Sequence, residues 1–175
     1  GGAADAVYLD LGYGSISGVD NILDQLRSIH APVIVHGDIE PTAAYDVLWD
    51  TNKQATYDAV QHLIARGHQR IAFLGHNIAE PDKYERYQGY IHALTHHGIA
   101  PDESLIHIGL EHLSKTHQTT LSLLESAARP TAFFCTSDIN ALMVMSAAQN
   151  IGLTIPDELA VIGSGNILQG RYSYP

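Results

Sequence analysis

The chain has 175 residues, of which 45% are hydrophobic, and a net charge of −10 with its histidines neutral. Such a length and apolar content exclude a disordered polypeptide, and no apolar run approaches the roughly 20 residues of a membrane-spanning helix. An acidic surface repels phosphate backbones, so these residues are not expected to contact nucleic acid. Cys135 is the single cysteine, which excludes an internal disulfide and suits a reducing compartment.

The first 49 residues predict a small βα arrangement. Residues 5–11 and 32–36 are short apolar runs typical of buried strands, and residues 19–29 carry apolar side chains at helical spacing. A Gly/Ser turn at 12–18 precedes that helix, and residues 45–49 predict a strand or crossing segment. So few elements cannot cover a parallel sheet on both faces. We therefore expect further strands upstream of this segment.

From residue 52 onward, predicted helices and strands alternate regularly. Helices are predicted at 52–66, 84–97, 116–128 and 137–152, and strands at 71–75, 105–108, 131–135 and 159–162. Glycines at 67, 98 and 152 provide the stops of three of these helices. The order αβαβαβαβ predicts a doubly wound α/β fold with parallel strands.

Polar residues follow the carboxyl ends of two predicted strands, at the edge where open parallel sheets bind ligands. Thr136, Ser137 and Asp138 follow the strand at 131–135, and a Gly-Ser-Gly-Asn run ending at Asn166 follows the last strand. Structural interpretations also exist. Ser137 can cap a helix, Asp138 can complement the helix dipole, and the glycine-rich run can be a simple turn.

Arg86 lies in the first turn of a predicted helix, after the strand at 71–75. The helix dipole disfavours a cation at that position, so its placement there suggests a function. A guanidinium can donate paired hydrogen bonds to vicinal hydroxyls, a carboxylate or a phosphate. The alternative is a solvated surface arginine.

Eleven histidines raise the question of a metal site. His107, His112 and His117 are spaced by five, which matches neither a helix face nor an H-E-x-x-H helix. Dinucleotide-binding, P-loop and nucleophile-elbow patterns are all absent. We therefore predict no metal, no cofactor and no catalytic residues, and a Rossmann-like enzyme is disfavoured.

Several ordered motifs resemble one protein family. They are HLI at 62–64, GHQRIAFLG at 67–75, RYQGY at 86–90, RPTAFFC at 129–135 with Asp138, IPD at 155–157 and LAVIG at 159–163. Together they resemble the effector-binding domain of LacI/GalR-type bacterial transcriptional repressors. The resemblance covers residues from about 47 to 175.

The resemblance implies a periplasmic-binding-protein-like type I fold with two lobes, of which the N-lobe is incomplete. Residues 1–48 would be part of the N-lobe, 49–168 the C-lobe, and 169–175 the start of the crossing back. It also implies a cytoplasmic, dimeric repressor that is not an enzyme. A small sugar or sugar phosphate would bind between the lobes and change the DNA affinity of a separate headpiece, absent from this sequence.

By position, the resemblance assigns Arg86 to the family's ligand-clamping arginine, and Asp138 and Asn166 to its acidic or amide ligand positions. Ser137 stands where the family usually has Asn, and Gly165 where it commonly has a ligand-binding Asp. Loss of that carboxylate removes an acceptor for sugar hydroxyls. We therefore expect a phosphorylated or otherwise anionic effector. A periplasmic sugar-binding protein of a transport system, which shares the fold, is the alternative.

Overall fold

The computed structural model describes residues 5–11, 19–37, 39–75, 81–110 and 112–173, and of residues 81–84 and 171 only the backbone. The chain forms two compact units, one made mainly of residues 1–51 and the other mainly of residues 52–175. The predicted turn at 12–18 lies outside the described residues. The predicted lobe bounds, at 48, 168 and 175, stay a prediction.

The described part of the first unit is a three-stranded parallel sheet with one helix. Its elements are β1 (Val7–Asp10), α1 (Val19–Leu26), β2 (Val33–His36) and β3 (Asp46–Leu48), with the strands in the order β1-β2-β3. One face packs against α1 through a core of Leu11, Leu26, Val33, Val35 and Tyr45. These elements confirm the strands and the helix expected from the apolar runs.

The other face of this sheet carries large exposed side chains. Tyr8 and Ile34 are paired in register there, and they are 59% and 45% exposed. Strand side chains alternate between faces, so Asp10 and His36 lie on this same face one pair further along. His36 contacts two carboxylates: Nδ1 lies 3.2 Å from Asp10 Oδ1, and Nε2 lies 3.3 Å from Asp50 Oδ1.

The second unit has four strands and four helices. In chain order they are α2 (Asn52–Ala65), β4 (Ile71–Leu74), α3 (Pro81–His96), β5 (Ile106–His107), α4 (Leu113–Leu124), β6 (Ala132–Cys135), α5 (Asp138–Asn150) and β7 (Ala160–Ile162). Short 3-10 turns span Glu103–Leu105 and Leu168–Arg171. The strand order is β5-β4-β6-β7 and every pair is parallel, as expected for a doubly wound fold.

Both faces of the second sheet are covered. β4 and β6 are buried at every position, which explains their uninterrupted apolar sequences. On one face Phe133 and Leu74 pack with Val144 of α5 and Leu124 of α4. On the other face Phe73 and Phe134 pack with α2 and α3, where the Tyr90 hydroxyl donates to the Ile71 carbonyl at 2.8 Å.

Glycines end three of these helices as the sequence predicts, and Gly152, with φ of +79°, is the one that follows α5. Gly67 has φ of +94° after α2, and the His68 N–H donates to the Leu63 carbonyl at 3.2 Å. Gly98 has φ of +71° after α3, and the Ile99 N–H donates to the Leu94 carbonyl at 2.9 Å. A left-handed glycine of this kind satisfies carbonyls that the helix leaves unpaired, and it turns the chain toward the next strand.

Candidate functional site

The carboxyl ends of β4, β6 and β7 lie side by side, because these strands are neighbours in a parallel sheet. The segments that follow β4 and β6 also contact each other. The Thr136 N–H donates to the Leu74 carbonyl at 2.9 Å, and a Cβ atom on Gly75 would lie 3.3 Å from Thr136 Cγ2. This edge of the second unit is therefore where the predicted binding residues are expected to lie.

Ser137 is the N-cap of α5. Its backbone is extended, with φ of −146° and ψ of 151°, and its hydroxyl accepts a hydrogen bond from the Asn140 N–H at 3.3 Å. Ser137 therefore caps the helix, as one interpretation of the sequence predicts. The residue is half-buried at the strand end, so a hydroxyl is present at the candidate edge.

Asp138 opens α5 and contacts the turn that follows β7. Its Oδ2 accepts a hydrogen bond from the Ile167 N–H at 2.8 Å, and its own N–H donates to the Ser164 carbonyl at 2.9 Å. These bonds join residues far apart in sequence. Asp138 and the turn carrying Asn166 are therefore brought together, as the sequence predicts for one sheet edge.

Asn166 is exposed and has φ of +50°, a left-handed conformation that Asn tolerates better than most residues. The preceding Gly165 has φ of +125°. The Gly-Ser-Gly-Asn run is therefore a turn, as one of its two interpretations predicted. The turn places an amide side chain at the carboxyl end of β7.

Arg86 is in the second turn of α3, because that helix begins at Pro81 rather than at the predicted position 84. The dipole argument for a function of Arg86 is correspondingly weaker. Its burial is the stronger observation, since only 8% of the residue is exposed. A buried guanidinium requires charge or hydrogen-bonding partners. A solvated surface arginine is thus excluded, while a role in ligand binding stays a prediction.

Two buried polar residues, one directly after β6 and one at the start of α2, were not among the predicted binding residues. Thr136 is 3% exposed and Asn52 8%, and neither Thr136 Oγ1 nor Asn52 Nδ2 has a hydrogen-bonding partner within the described ranges. Thr136 follows β6, and α2 begins with Asn52. The position of Thr136 next to Ser137 was visible in the sequence, but its burial depends on packing against the segment after β4.

Cys135 lies at the end of β6, close to this edge, and its thiol is fully buried. Burial, with a smaller contribution from the Asp138 charge, raises the pKa of the Cys135 thiol well above its ordinary value. The described ranges contain no group of three or more His, Cys, Asp or Glu side chains suited to a metal ion. Within those same ranges, every helix is too short or too polar to cross a bilayer.

Comparison with known proteins identifies the family. The periplasmic binding protein-like domain matches residues 60–175. The chain belongs to this family. The transcriptional regulator AscG of Escherichia coli K12, a helix-turn-helix protein, is 32% identical over 172 residues, which are 98% of this chain and 50% of AscG.

Solved structures give the same family assignment. A LacI-family regulatory protein from Chloroflexus aggregans has a TM-score of 0.81 and 29% identity, and the match covers 97% of this chain and 59% of that protein. A LacI-family sugar-binding regulator from E. coli, solved with phosphate, has a TM-score of 0.77 and 32% identity, over 97% and 60% of the two chains. The chain therefore spans about half to three-fifths of these relatives.

These matches confirm the predicted resemblance to LacI-type effector-binding domains and the predicted α/β fold class. The relatives are transcriptional regulators, so the alternative of a periplasmic sugar-binding protein of a transport system is not favoured. The individual contributions of Arg86, Ser137, Asp138 and Asn166 to binding remain predictions.

Proposed function

We propose that this chain is the effector-sensing portion of a bacterial DNA-binding transcriptional regulator. It would bind a small polar metabolite at the carboxyl edge of the β4-β6-β7 strands. The observation that carries the proposal is the direct contact between Asp138 and the turn containing Asn166. Ser137 lies at the same edge of the sheet, and so does the carboxyl end of β4, the strand that precedes the helix of Arg86. Family membership supports the regulatory role.

An anionic effector, such as a sugar phosphate, suits this edge best. Helices in a parallel α/β fold begin where the preceding strands end, so α3, α4 and α5 direct their N-termini toward it. Helix N-termini attract anions, and a guanidinium such as that of Arg86 binds phosphate with two parallel hydrogen bonds. The hydroxyl of Ser137 and the amide of Asn166 are suited to the hydroxyls of a sugar.

The proposed action is a shift between conformational states and involves no chemical step. An effector that binds one state better than another moves the population toward the preferred state. The DNA would be contacted by a separate headpiece, because the chain itself carries a net charge of −10. We further propose that the whole regulator is cytoplasmic, since it acts on DNA, and that it is a homodimer, as the family resemblance implies.

Isothermal titration tests the effector class. A neutral hexose and the same hexose bearing a phosphate would be titrated into the protein, and we expect the phosphorylated sugar to bind at least about tenfold more tightly, the weight of one charge-assisted hydrogen bond. A preference for the neutral sugar would remove the anionic-effector proposal. Failure of a broad panel of both kinds to bind would contradict the sensor site itself.

Arg86→Lys tests the role of the guanidinium. The substitution keeps the positive charge but removes the paired hydrogen bonds, so we expect affinity for the sugar phosphate to fall by about 10- to 100-fold. Arg129→Lys is the matched control, because Arg129 is exposed and precedes β6 at the opposite edge of the sheet. Equal affinity of both variants and the wild type would exclude Arg86 from the site.

A further inference from the structure

The Asp138 carboxylate is directed at the backbone of the turn that follows β7. Its Oδ2 accepts from the Ile167 N–H at 2.8 Å, while the Asp138 N–H donates to the Ser164 carbonyl at 2.9 Å. One residue therefore holds both sides of the turn. Because Ser137 is the N-cap of α5, the Asp138 side chain does not have to serve as the cap.

The glycines of this turn fit around the same carboxylate. A Cβ atom on Gly163 would overlap Asp138 Oδ1 and would lie only 3.1 Å from Asp138 Cα and 3.0 Å from Ala141 Cβ. A Cβ atom on Gly165 would lie 3.6 Å from Asp138 Oδ2. Both carboxylate oxygens thus lie against the turn, and Gly163 is required for their close approach.

The turn contains an unfavourable backbone conformation. Among the described residues, Asn166 is the sole non-glycine residue with positive φ, at +50°. Such conformations persist when surrounding interactions fix the backbone on both sides. The two hydrogen bonds of Asp138 do so, since one is made to Ser164 and the other to Ile167.

We propose that Asp138 is a positioning residue, which fixes the turn and thereby presents Asn166 at the binding edge, rather than a direct acceptor for the effector. That Asn166 lies in an effector site rests on the proposed function. We call the two hydrogen bonds by which Asp138 holds the turn, to Ile167 and Ser164, the clamp. The clamp does not depend on the proposed function, because it is a property of the protein without effector. The two parts can therefore be tested separately.

Hydrogen exchange of the Ile167 amide, followed by NMR on the protein without effector, tests the clamp. Asp138→Ala removes the acceptor, so exchange should accelerate by about 10- to 100-fold, the weight of a hydrogen bond to a charged group. Asp138→Asn keeps an acceptor oxygen and should retain most of the protection. Gly163→Ala should mimic Asp138→Ala with the carboxylate still present, because the new methyl group displaces it.

Titration of the same variants with the sugar or sugar phosphate that binds the wild type tests the positioning role. Affinity should fall about tenfold or more in Asp138→Ala and Gly163→Ala, and should return close to the wild-type value in Asp138→Asn. Glu158→Ala is the matched control, because Glu158 also accepts a loop hydrogen bond, from the Thr154 N–H at 2.9 Å, but outside this edge. Thermal unfolding would verify that each variant is folded.

Unchanged Ile167 exchange in a folded Asp138→Ala protein would overturn the proposal. So would an Asp138→Asn protein that keeps Ile167 protected but loses as much affinity as Asp138→Ala, because the carboxylate would then contact the effector directly. Accelerated exchange together with no binding of any sugar or sugar phosphate by the wild type would support the clamp and would remove the proposed function instead.

Discussion

At the residue scale, the role of a polar side chain depends on what folding places around it. The sequence allowed two roles for Asp138: dipole complementation and a contact with ligand. The structure adds a role that spacing could not reveal, a hydrogen bond to the Ile167 N–H, which lies 29 residues further along the chain. Local patterns did suffice for Ser137, since capping involves only its near neighbours.

His36 provides a residue-scale prediction about pH. Burial lowers its pKa, but the hydrogen bonds and charges of Asp50 and Asp10 outweigh this, and the net pKa is raised above its ordinary value of 6.5. Its stabilising contribution is therefore complete below pH 6.5 and is lost as the pH rises through the raised pKa. Urea unfolding of wild type and His36→Asn should show a difference of at most about 1 kcal/mol that shrinks at alkaline pH.

His68 is the contrasting control for this experiment. Burial lowers its pKa, so the folded protein disfavours its protonated form. The stability of the wild type relative to His68→Asn should therefore increase as the pH rises toward 6.5, the opposite trend. Parallel trends for the two histidine variants would contradict the assignment of the His36 ion pairs.

At the element scale, helix positions follow from apolar spacing, while the fit between helices depends on particular small residues. The sequence predicts α2 and α3 closely, and their glycine stops are where expected. The start of α3 at Pro81 was missed, because the first turn of this helix lacks an apolar stripe. The close crossing of α2 and α3 was not predicted, since it depends on a contact between separate elements.

Gly89 of α3 lies where this helix crosses α2, and it provides a prediction at the element scale. A Cβ atom there would overlap the Lys53 carbonyl of α2 and would lie 2.8 Å from Thr56 Cβ and 3.1 Å from the Tyr57 nitrogen. Gly89→Ala should force the helices apart and lower the free energy of unfolding by about 1–3 kcal/mol in urea denaturation. Gly170→Ala is the control, because its chain neighbours apart, no atom of the described residues lies within 4 Å of its Cβ position. A Gly89→Ala protein as stable as wild type would show that the crossing can relax.

At the scale of the whole molecule, the two sheets are covered differently. The second sheet has helices and a hydrophobic core on both faces, whereas the first has its core on one face and exposes Tyr8 and Ile34 on the other. The burial of the second sheet makes β6, one of its two central strands, a good reporter of unfolding. Cys135 at the end of β6 is fully buried.

Cys135 should therefore be unreactive in the folded protein. Burial excludes reagents and raises the thiol pKa, so little thiolate forms at pH 8. We expect a thiol-specific reagent to label Cys135 slowly in buffer and rapidly in concentrated urea. Ser122→Cys, at an exposed position of α4, should react rapidly in both conditions. Rapid labelling of wild-type Cys135 in buffer would mean that this core opens frequently.

The sequence by itself determined the alternation of elements, the α/β class and the family, because apolar periodicity, glycine stops and family motifs are local properties of the chain. It also allowed Ser137 to be interpreted as a cap and the run after β7 as a turn, beside a binding role for each. Only the tertiary structure decided that Asp138 bonds the Asn166 turn, that Arg86 and Thr136 are buried, and that α2 and α3 cross at Gly89. Those features depend on which distant segments meet, and that is fixed by strand order and close packing rather than by neighbouring residues.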